Sequence, residues 1–582
     1  MCNTAAGSVD LFNLLGNSPT FGQSIPVGSD PVSVCFRDAR ELWVVNQISD
    51  TVSVVDLDRN TVVRTLKTLD EPADVVFAGQ PRRAYVSCSQ ANAVLVFQLD
   101  HLDAAPEKIE ILGEDPRALA VSPDGKTVYA AVFESGNGTT ILGGGGDGVV
   151  AFPPNVVNDP GGPYGGTNPP PNDGNKFNPL RNPEAGTPPP VGLIVRKDAA
   201  GKWRDDNGKD WTRFVSGSLA KASGRPTGWD LIDNDVAIID TSTNNVSYAT
   251  GLMHLCMAVS VNPMTGAVSV VGTDATNEVR FEPNLNGRFL RVNFATVSAN
   301  GATENRTDLN PHLDYSTPRV HAAVRKEAIG ELRGIVWRAN GNIAYVSGRG
   351  SNNVVAIDRS GNRLVNIAPI PVGEGPTGLA IHEERDRLYV LNQFDGSLST
   401  IDLTSHSEIA RTPFFDPTPV AIKTGRKHLY DTHRTSGLGH VSCASCHADA
   451  RMDRLAWDLG DPAGEVKEVS SPRHNLGANV PALNTGFTDF HPMKGPMTTQ
   501  TLQDIIGKEP HHWRGDKDGI EEFNGAYVAL MGDDEMLTDA EMQELEDYLA
   551  TIYFPPNPYR NLDNSLPTNL PLPGQFTSGR AL

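Results

Sequence analysis

The feature that most restricts the fold is a repeat of three short strand patterns between residues 20 and 423. In its first copy the runs Val-Ser-Val, Leu-Trp-Val-Val and Val-Ser-Val-Val lie between residues 31 and 56, separated by turn residues. Such runs are typical of β-strands. The first three copies open 41 and 44 residues apart, about the length of one propeller blade. The openings are Pro31, Pro72, Pro116, Gly334 and Pro376. We therefore predict a mainly β fold with a β-propeller over residues 20–423.

Two features complicate this ring of blades. Residues 134–230 interrupt the third copy, whose missing strand returns at Asp235 to Asp240. The first part of this insertion is rich in Gly, Pro and Asn, which indicates a loop, but several Trp and Phe residues follow, and aromatic side chains are rarely left in water. We expect an ordered excursion that covers one propeller face or touches the next domain. A last copy of the repeat would begin at Pro419. An N-terminal strand, Phe21 to Val27, would complete this blade and close the ring.

The motif with the most specific chemistry is Cys443-Ala-Ser-Cys446-His447. A Cys-x-x-Cys-His sequence is typical of covalent haem c attachment, with two thioethers and His447 as an iron ligand. A zinc site would need a second pair of ligands, and a redox dithiol would need a βαβ setting. The other cysteines, Cys2, Cys35, Cys88 and Cys256, are scattered. We predict one covalently attached haem c.

The sequence after the propeller predicts helices. Thr538-Asp-Ala-Glu541 is a capping box, and Met542, Leu545 and Leu549 follow at helical spacing. No linker separates the propeller from the next residues, so we predict a rigid interface with a C-terminal α-helical domain over residues 424–556 and a polar tail over residues 557–582.

Both halves resemble known families. The sequence from Gly425 through His447 resembles the opening of the bacterial di-haem cytochrome c peroxidase family, and the later segments 494–502 and 512–516 are similar in order to that family's haem domains. This resemblance implies that residues 424–556 form a cytochrome c domain, although the family carries two haem motifs and this chain has one. The Tyr-Val and Val-x-x-Asp runs of the repeats resemble the YVTN and lactonase-like seven-bladed propellers, which implies a seven-bladed β-propeller over residues 20–423.

The sixth iron ligand would decide the chemistry, because a closed iron shuttles electrons and an open iron binds small molecules. The resemblance to single-haem cytochromes c implies a Met on a Pro/Gly-rich loop, and Met497 is our first candidate, with Met493 second and His491 as a bis-His option. Trp513 and Arg514 are candidates to hold the haem propionates. His512 is a candidate catalytic acid/base on the distal side. A surface turn with an Arg–Asp pair is the alternative interpretation of residues 511–516.

Three functions are compatible with these residues. The first is electron transfer by a His/Met-ligated haem c, with the propeller as a docking platform for a redox partner protein, a cytochrome or an oxidoreductase. The second is a peroxidase-like enzyme with an open or labile sixth site. The third is a propeller dehydrogenase that passes electrons to the haem, although the repeats show no clear quinone site. A lactonase activity has the least support, since no cluster of carboxylates stands out.

Charge and haem attachment bear on location and partners. The formal net charge of −21 argues against nucleic acid and anionic membranes as partners, and no apolar run reaches membrane-spanning length. Haem c attachment takes place outside the bacterial cytoplasmic membrane, so we expect a periplasmic protein whose export signal precedes Met1. A lipoprotein anchored at Cys2 is a second possibility. Cys35 and Cys88 would form either a disulfide or two buried thiols.

Overall fold

Short antiparallel sheets make up most of the chain in the computed structural model, which describes residues 1–14, 16, 18–145, 153–171, 179–298, 301–468, 489–555 and 565. Six sheets have four strands each, and the N-terminal sheet has three. The predicted mainly β fold is confirmed. The strands of the six four-stranded sheets are, sheet by sheet, Pro31–Phe36, Glu41–Asn46, Thr51–Asp56 and Thr61–Lys67; Pro72–Ala78, Arg83–Cys88, Ala93–Gln98 and Glu107–Glu110; Glu114–Val121, Thr127–Glu134, Val236–Asp240 and Val246–Ala249; Leu255–Val261, Val268–Ala275, Leu290–Val297 and Thr303–Asp308; Leu332–Trp337, Ala344–Gly348, Asn353–Ile357 and Ile370–Pro371; Pro376–His382, Arg387–Asn392, Ser397–Asp402 and Ser407–Pro413.

A buried hydrogen-bond pattern recurs between blades and explains part of the repeat. The Asn46 side-chain amide donates to the Ser53 hydroxyl at 3.0 Å, and the Asn392 amide donates to the Ser399 hydroxyl at 2.8 Å. In each case the Asn ends the second strand, and the Ser lies seven residues later in the third strand. Buried amides need such partners, because an unpaired polar group in the core is destabilising. The Asn and Ser positions of the repeat therefore stabilise the pairing between two neighbouring strands.

The ring closes differently from the prediction. The N-terminal sheet consists of Cys2–Asn3, Ser8–Asn13 and Thr20–Pro26, and it lies between the last and first four-stranded sheets, where the Asn3 amide donates to Phe415 O at 2.7 Å and the Thr4 hydroxyl to Pro31 O at 2.8 Å. The predicted strand at residues 419–422 is wrong, because Val420–Tyr430 is an α-helix. This helix buries Arg426, Leu429 and Tyr430, and the N-terminal residues supply all three strands of the last sheet.

The cysteines of the propeller are free thiols. Cys2 is buried in its strand opposite Val9, and burial raises the pKa of its thiol to about 12. The lipid anchor considered for Cys2 stays a prediction. Cys35 and Cys88 lie in neighbouring sheets and are not bonded to each other. The disulfide considered for them is therefore not formed in this structure.

The described residues of the insertion in the third blade pack together. Its three-stranded sheet, Thr139–Leu142, Leu193–Lys197 and Trp203–Arg204, packs with buried Trp and Phe side chains. The backbone N–H of Asn182 donates to Pro462 O at 2.8 Å. The insertion thus contacts residues 420–555, which we call the C-terminal segment.

The C-terminal segment contains most of the regular helix. Among the described residues, its α-helices are Val420–Tyr430, Thr432–Thr435, Gly525–Ala529 and Asp539–Leu549, and those elsewhere are Thr212–Val215, Glu282–Leu285 and Ala322–Arg325. The predicted capping box of the last helix is confirmed, and its three predicted apolar residues are buried. Two-residue strands at Ala456–Trp457 and Met497–Thr498 pair with each other, and much of the rest of the segment, within residues 420–468 and 489–555, is loop. Among the described residues, no helix has the length and apolar character required to cross a membrane.

Gly425 allows the first and last helices of the C-terminal segment to touch. A Cβ atom at this position would overlap the Glu544 carbonyl oxygen and lie 2.5 Å from Tyr548 Cβ. We expect Gly425→Ala to lower the free energy of unfolding by about 1–3 kcal/mol, because the two helices must move apart. Gly525→Ala is the matched control, since a Cβ there meets no atom within 4 Å. Denaturant unfolding of both variants checks the difference, and equal midpoints would contradict this packing.

Two fully buried histidines make stability depend on pH. His254 Nδ1 accepts a hydrogen bond from the Ala275 N–H, and His440 Nε2 donates to Leu290 O. Burial lowers the pKa of His254 to about 4 and that of His440 to about 3. Both are neutral in the folded chain at pH 5, whereas their unfolded counterparts bind protons below about pH 6.5.

Both histidines therefore take up protons when the chain unfolds below pH 6.5, and their contribution to the free energy of unfolding falls with the pH. We expect each of these histidines to contribute a loss of about 2 kcal/mol between pH 7 and pH 5. Denaturant unfolding at several pH values measures the slope. Buried carboxyls whose pKa is raised, such as Asp235 and Glu134, act in the opposite direction, so the histidine contribution is the change of slope between the unmodified chain and His254→Gln. The exposed His101→Ala should keep the slope of the unmodified chain, and an unchanged slope in His254→Gln would contradict the prediction.

Candidate functional site

The Cys-x-x-Cys-His motif forms one tight helical turn. Cys443–Ser445 is a 3₁₀ helix that begins with a capping box, in which the backbone N–H of Ser442 donates to the Ser445 hydroxyl at 3.0 Å. The His447 N–H donates to Cys443 O at 3.0 Å and extends the turn. Two thiols and one imidazole are thus carried on a single short piece of rigid backbone.

The surroundings of the two thiols do not favour a redox dithiol. Both cysteines are half-buried against the largest apolar cluster. Burial raises the pKa of Cys443 to about 11, and burial, followed by Asp453 and Cys443, raises the pKa of Cys446 well above its usual value. A reactive dithiol needs a lowered thiol pKa. Half-buried, protonated thiols in an apolar setting fit a role as attachment points for an apolar group.

His447 is held in the orientation expected of a metal ligand. Its Nδ1 lies 2.8 Å from the carbonyl oxygen of Gln500 and must therefore carry the proton. Burial lowers the pKa of His447 and favours the neutral ring. In this tautomer the lone pair is on Nε2, and a backbone carbonyl on the other nitrogen is the usual support for a ligating imidazole. The residues of the motif therefore fit a haem iron ligated through Nε2 of His447.

Asp449, two residues after His447, is held by three arginines of the propeller. Its carboxylate accepts from Arg117 Nη1 at 2.5 Å, from Arg333 Nη2 at 2.7 Å and from Arg349 Nη2 at 2.7 Å. We call this group the arginine clamp. Burial alone would raise the pKa of Asp449, but the three guanidinium groups lower it well below its usual range. Asp449 is therefore ionised at neutral pH.

The three arginines of the clamp come from two blades. Arg117 lies in Glu114–Val121, Arg333 lies in Leu332–Trp337, and Arg349 directly follows Ala344–Gly348. Two further carboxylates balance the charge: Asp115 pairs with Arg117, and Glu331 pairs with Arg333 and Arg349. With Asp449 the group has three positive and three negative charges. Buried ions need such compensation, so the clamp holds together only when Asp449 is in place.

More ion pairs continue along the same stretch of chain. Arg451 binds the buried Glu71 carboxylate at 2.7 Å, and Arg454 contacts Glu134 and, at 3.4 Å, Glu114. Residues 449–454 thus rest on three different blades. The chain that follows His447 is fixed by the propeller, which agrees with the predicted rigid interface.

The segment that carries the predicted Met ligand runs beside the motif. The Thr499 N–H donates to Leu455 O at 3.1 Å, and the Leu502 N–H donates to Ala450 O at 2.9 Å. Met497 pairs with Trp457 in the short sheet. Met493 lies instead in a small pocket with Val191 and Arg280, next to the insertion. Neither methionine is tested as an iron ligand by these contacts, and both assignments stay predictions.

The other polar candidates already have protein partners. Trp513 Nε1 donates to Thr498 O at 2.7 Å. Arg514 donates to His491 O at 2.9 Å and to the Asp516 carboxylate at 2.8 Å, so the predicted propionate contacts gain no support from this geometry. His491 Nδ1 accepts from the Met493 N–H at 3.0 Å, which places the ring proton on Nε2 and leaves no free lone pair for a metal.

The ring proton of His512 is on the opposite nitrogen from that of His491. Its Nδ1 lies 2.8 Å from a carboxylate oxygen of the buried Asp516, so this nitrogen carries the proton. Although burial raises the pKa of Asp516, the hydrogen bonds from His512 and Arg514 lower it far below its usual value. The arrangement matches the interpretation of residues 511–516 as a turn with an Arg–Asp pair, and it also presents a free Nε2 lone pair.

Sequence reasoning missed the arginine clamp and the Gln500 carbonyl. Gln500 acts through its backbone, which no side-chain pattern reveals. The clamp could have been suspected from the repeat, because Arg117 and Arg333 lie early in their strands, at a position where the other copies have mostly small or apolar residues. Across the described ranges, no group of three or more His, Cys, Asp or Glu side chains is arranged to hold a metal ion.

Comparisons with known proteins bear mainly on the propeller. Residues 24–148 match the lactonase seven-bladed β-propeller family. The chain is 33% identical over 151 residues to the uncharacterized protein YncE of Escherichia coli (strain K12), which is 26% of this chain and 36% of that protein. It is 36% identical over 125 residues to the seven-bladed β-propeller protein Rv1057 of Mycobacterium tuberculosis, which is 20% of this chain and 28% of that protein.

The chain thus spans about a third of the length of these relatives. Among solved structures, Kuenenia stuttgartiensis hydrazine synthase matches with a TM-score of 0.43 and 17% identity, over 69% of this chain and 90% of that one. The family match and the blade-like sheets together confirm the predicted seven-bladed β-propeller.

Proposed function

We propose that this protein is an exported mono-haem c-type cytochrome that transfers electrons to or from a redox partner protein. Cys443 and Cys446 would attach the haem, and His447 would bind its iron. The orientation of His447 by the Gln500 carbonyl carries this proposal, because it leaves Nε2 free to bind a metal. The bound haem would supply a one-electron carrier.

The propeller would act as a rigid support for the haem site. The arginine clamp fixes Asp449, and Arg451 and Arg454 fix the residues after it. A rigid site suits electron transfer, because a carrier that reorganises little exchanges electrons with a low barrier. The formal net charge of −21 favours a partner with a basic docking surface, since complementary charge speeds encounter.

A peroxidase-like activity is the second candidate. His512, polarised by Asp516, has the free nitrogen that an acid/base residue for peroxide cleavage requires. The third function considered, a dehydrogenase site in the propeller, has no specific observation in its favour among the described residues.

The test uses the chain preceded by an export signal and produced together with a haem-attachment system. The proposal expects a Soret band, a reversible one-electron reduction for each chain, and electron exchange with a small basic cytochrome that weakens as salt is added. A colourless protein would refute it. Rapid peroxide-dependent oxidation of a reduced cytochrome would favour the peroxidase instead.

A further inference from the structure

We propose that Trp513, Tyr553 and Phe554 form the docking surface for a small basic redox protein. This inference rests on the proposed function and names the surface through which the same haem site would exchange electrons. We call the three side chains the aromatic patch. Its hydrogen bonds, its exposure and the charge around it all favour this role.

Hydrogen bonds attach the aromatic patch to both ends of one short stretch of chain, residues 498–503. Trp513 Nε1 donates to Thr498 O at 2.7 Å, and Gln503 Nε2 donates to Tyr553 O at 3.3 Å. Five residue steps of fully extended chain cover at most about 17 Å. The two anchor points, Thr498 and Gln503, therefore fit beneath a single protein interface of ordinary size.

The same stretch of chain supports the haem-attachment motif. Gln500, between the two anchor points, accepts the hydrogen bond from His447 Nδ1 at 2.8 Å. The Leu502 N–H donates to Ala450 O at 2.9 Å, which fixes the stretch to the residues that follow the motif. One stretch of backbone thus connects the patch with the imidazole that would bind the iron. Because electron transfer weakens steeply with distance, a partner docked here would be well placed to exchange electrons with the haem.

All three aromatic side chains are largely exposed. The exposed fractions are 62% for Trp513, 67% for Tyr553 and 57% for Phe554. Buried Trp and Tyr side chains often contribute most of the binding energy at protein interfaces. An exposed group of large apolar side chains is typical of a surface that another protein covers. Three rings give a small contact area, which suits a short-lived electron-transfer complex.

The charge near the patch favours a basic partner. Residues 420–468 and 489–555 contain 22 Asp and Glu residues but only 11 Lys and Arg residues, so they carry about half of the formal net charge of −21. The last helix, Asp539–Leu549, ends shortly before the aromatic patch and has five acidic side chains and no Lys or Arg. Glu546 and Asp547 lie near its end, where negative charge is unfavourable for a helix. These carboxylates would attract a lysine-rich surface.

Electron exchange between the haem-loaded chain and a small, lysine-rich cytochrome c tests the aromatic patch. We expect the double variant Trp513→Ala/Tyr553→Ala to lower the second-order rate constant at low salt by at least tenfold, because the ring contacts with the partner are lost. The absorption spectrum and the reduction potential of the variant should match those of the unmodified chain, since neither side chain would touch the haem.

Phe36→Ala is the matched control and should keep the full rate constant. Phe36 is 59% exposed, and it ends the first strand of its blade. The C-terminal segment contacts the opposite ends of such strands, since Glu71, which binds Arg451, directly precedes the first strand of the next blade. Phe36 therefore lies on the other face of the propeller.

Glu546→Lys/Asp547→Lys tests the charge of the partner. At low salt this variant should exchange electrons several-fold more slowly than the unmodified chain. The difference should disappear at high salt, because ions then screen the attraction. A rate constant that does not respond to the charge reversal would contradict the choice of a basic partner.

An unchanged rate constant in Trp513→Ala/Tyr553→Ala would overturn the docking surface. A shifted reduction potential in this variant would also overturn it, because the aromatic side chains would then act on the haem itself. So would a dimer of the unmodified chain that dissociates in the variant, since a second copy would then cover the patch. A chain without haem would refute the proposed function together with this surface, whereas the other failures concern haem-loaded chains and leave the proposed function standing.

Discussion

The double variant Cys443→Ser/Cys446→Ser is expected to lose all haem that survives denaturation. Thioether bonds are the only covalent link that the motif provides, and serine hydroxyls cannot replace the thiols. The measurement is the haem absorbance of the denatured, acetone-washed protein. Since both side chains are half-buried on a short turn, we expect the propeller of the variant to stay folded.

Cys35→Ser is the matched control, because Cys35 is a half-buried thiol in a propeller strand far from the motif in sequence. This variant should keep its full haem content. Equal haem retention by the double variant and the control would contradict the assignment of the motif.

Asp449→Ala is expected to lower the free energy of unfolding by about 3–5 kcal/mol, the usual effect of removing one partner of a buried ionic group. The change leaves three guanidinium groups, each less than a fifth exposed, with two carboxylates. Like charges then face one another away from water. Denaturant unfolding followed by fluorescence measures this loss. Asp449→Asn should show most of the same decrease in the free energy of unfolding, because the amide carries no charge.

The control for this effect is the exposed pair Arg64–Asp103, whose side chains are 41% and 90% exposed. Asp103→Ala should change stability by less than about 1 kcal/mol, since surface ion pairs contribute little. If Asp449→Ala behaved like Asp103→Ala, the clamp would not be the group that fixes the motif to the propeller.

The blades were predictable because the sequence of each blade contains its own strand and turn patterns. Alternating runs, turn residues and a spacing near 41 residues reveal a blade even when its partner blades are unknown. One strand of the N-terminal sheet was predicted at Phe21 to Val27 and lies at Thr20–Pro26. The other two, Cys2–Asn3 and Ser8–Asn13, were missed because they do not repeat the pattern of the blades, and the first is only two residues long. The strand expected at Pro419 was wrong for a related reason: four residues that open like a blade also fit the start of the Val420–Tyr430 helix.

The site was predictable only in part. The motif at Cys443, Cys446 and His447 is local, so the sequence suffices to find it. The arginine clamp joins residues more than 300 positions apart, such as Arg117 and Asp449, and only the closed ring of blades brings them together. His512 was visible as a candidate, but the direction of its hydrogen bond to Asp516 depends on how residues 511–517 turn.

The most direct test of the whole account is mass spectrometry of the exported protein after cleavage with trypsin. Cleavage after Arg434 and Arg451 releases a peptide, residues 435–451, that contains the entire motif. The account predicts that this peptide carries the mass of one haem, bonded through Cys443 and Cys446. Recovery of the same peptide with two free thiols, from cells that attach haem to a known cytochrome c, would contradict it.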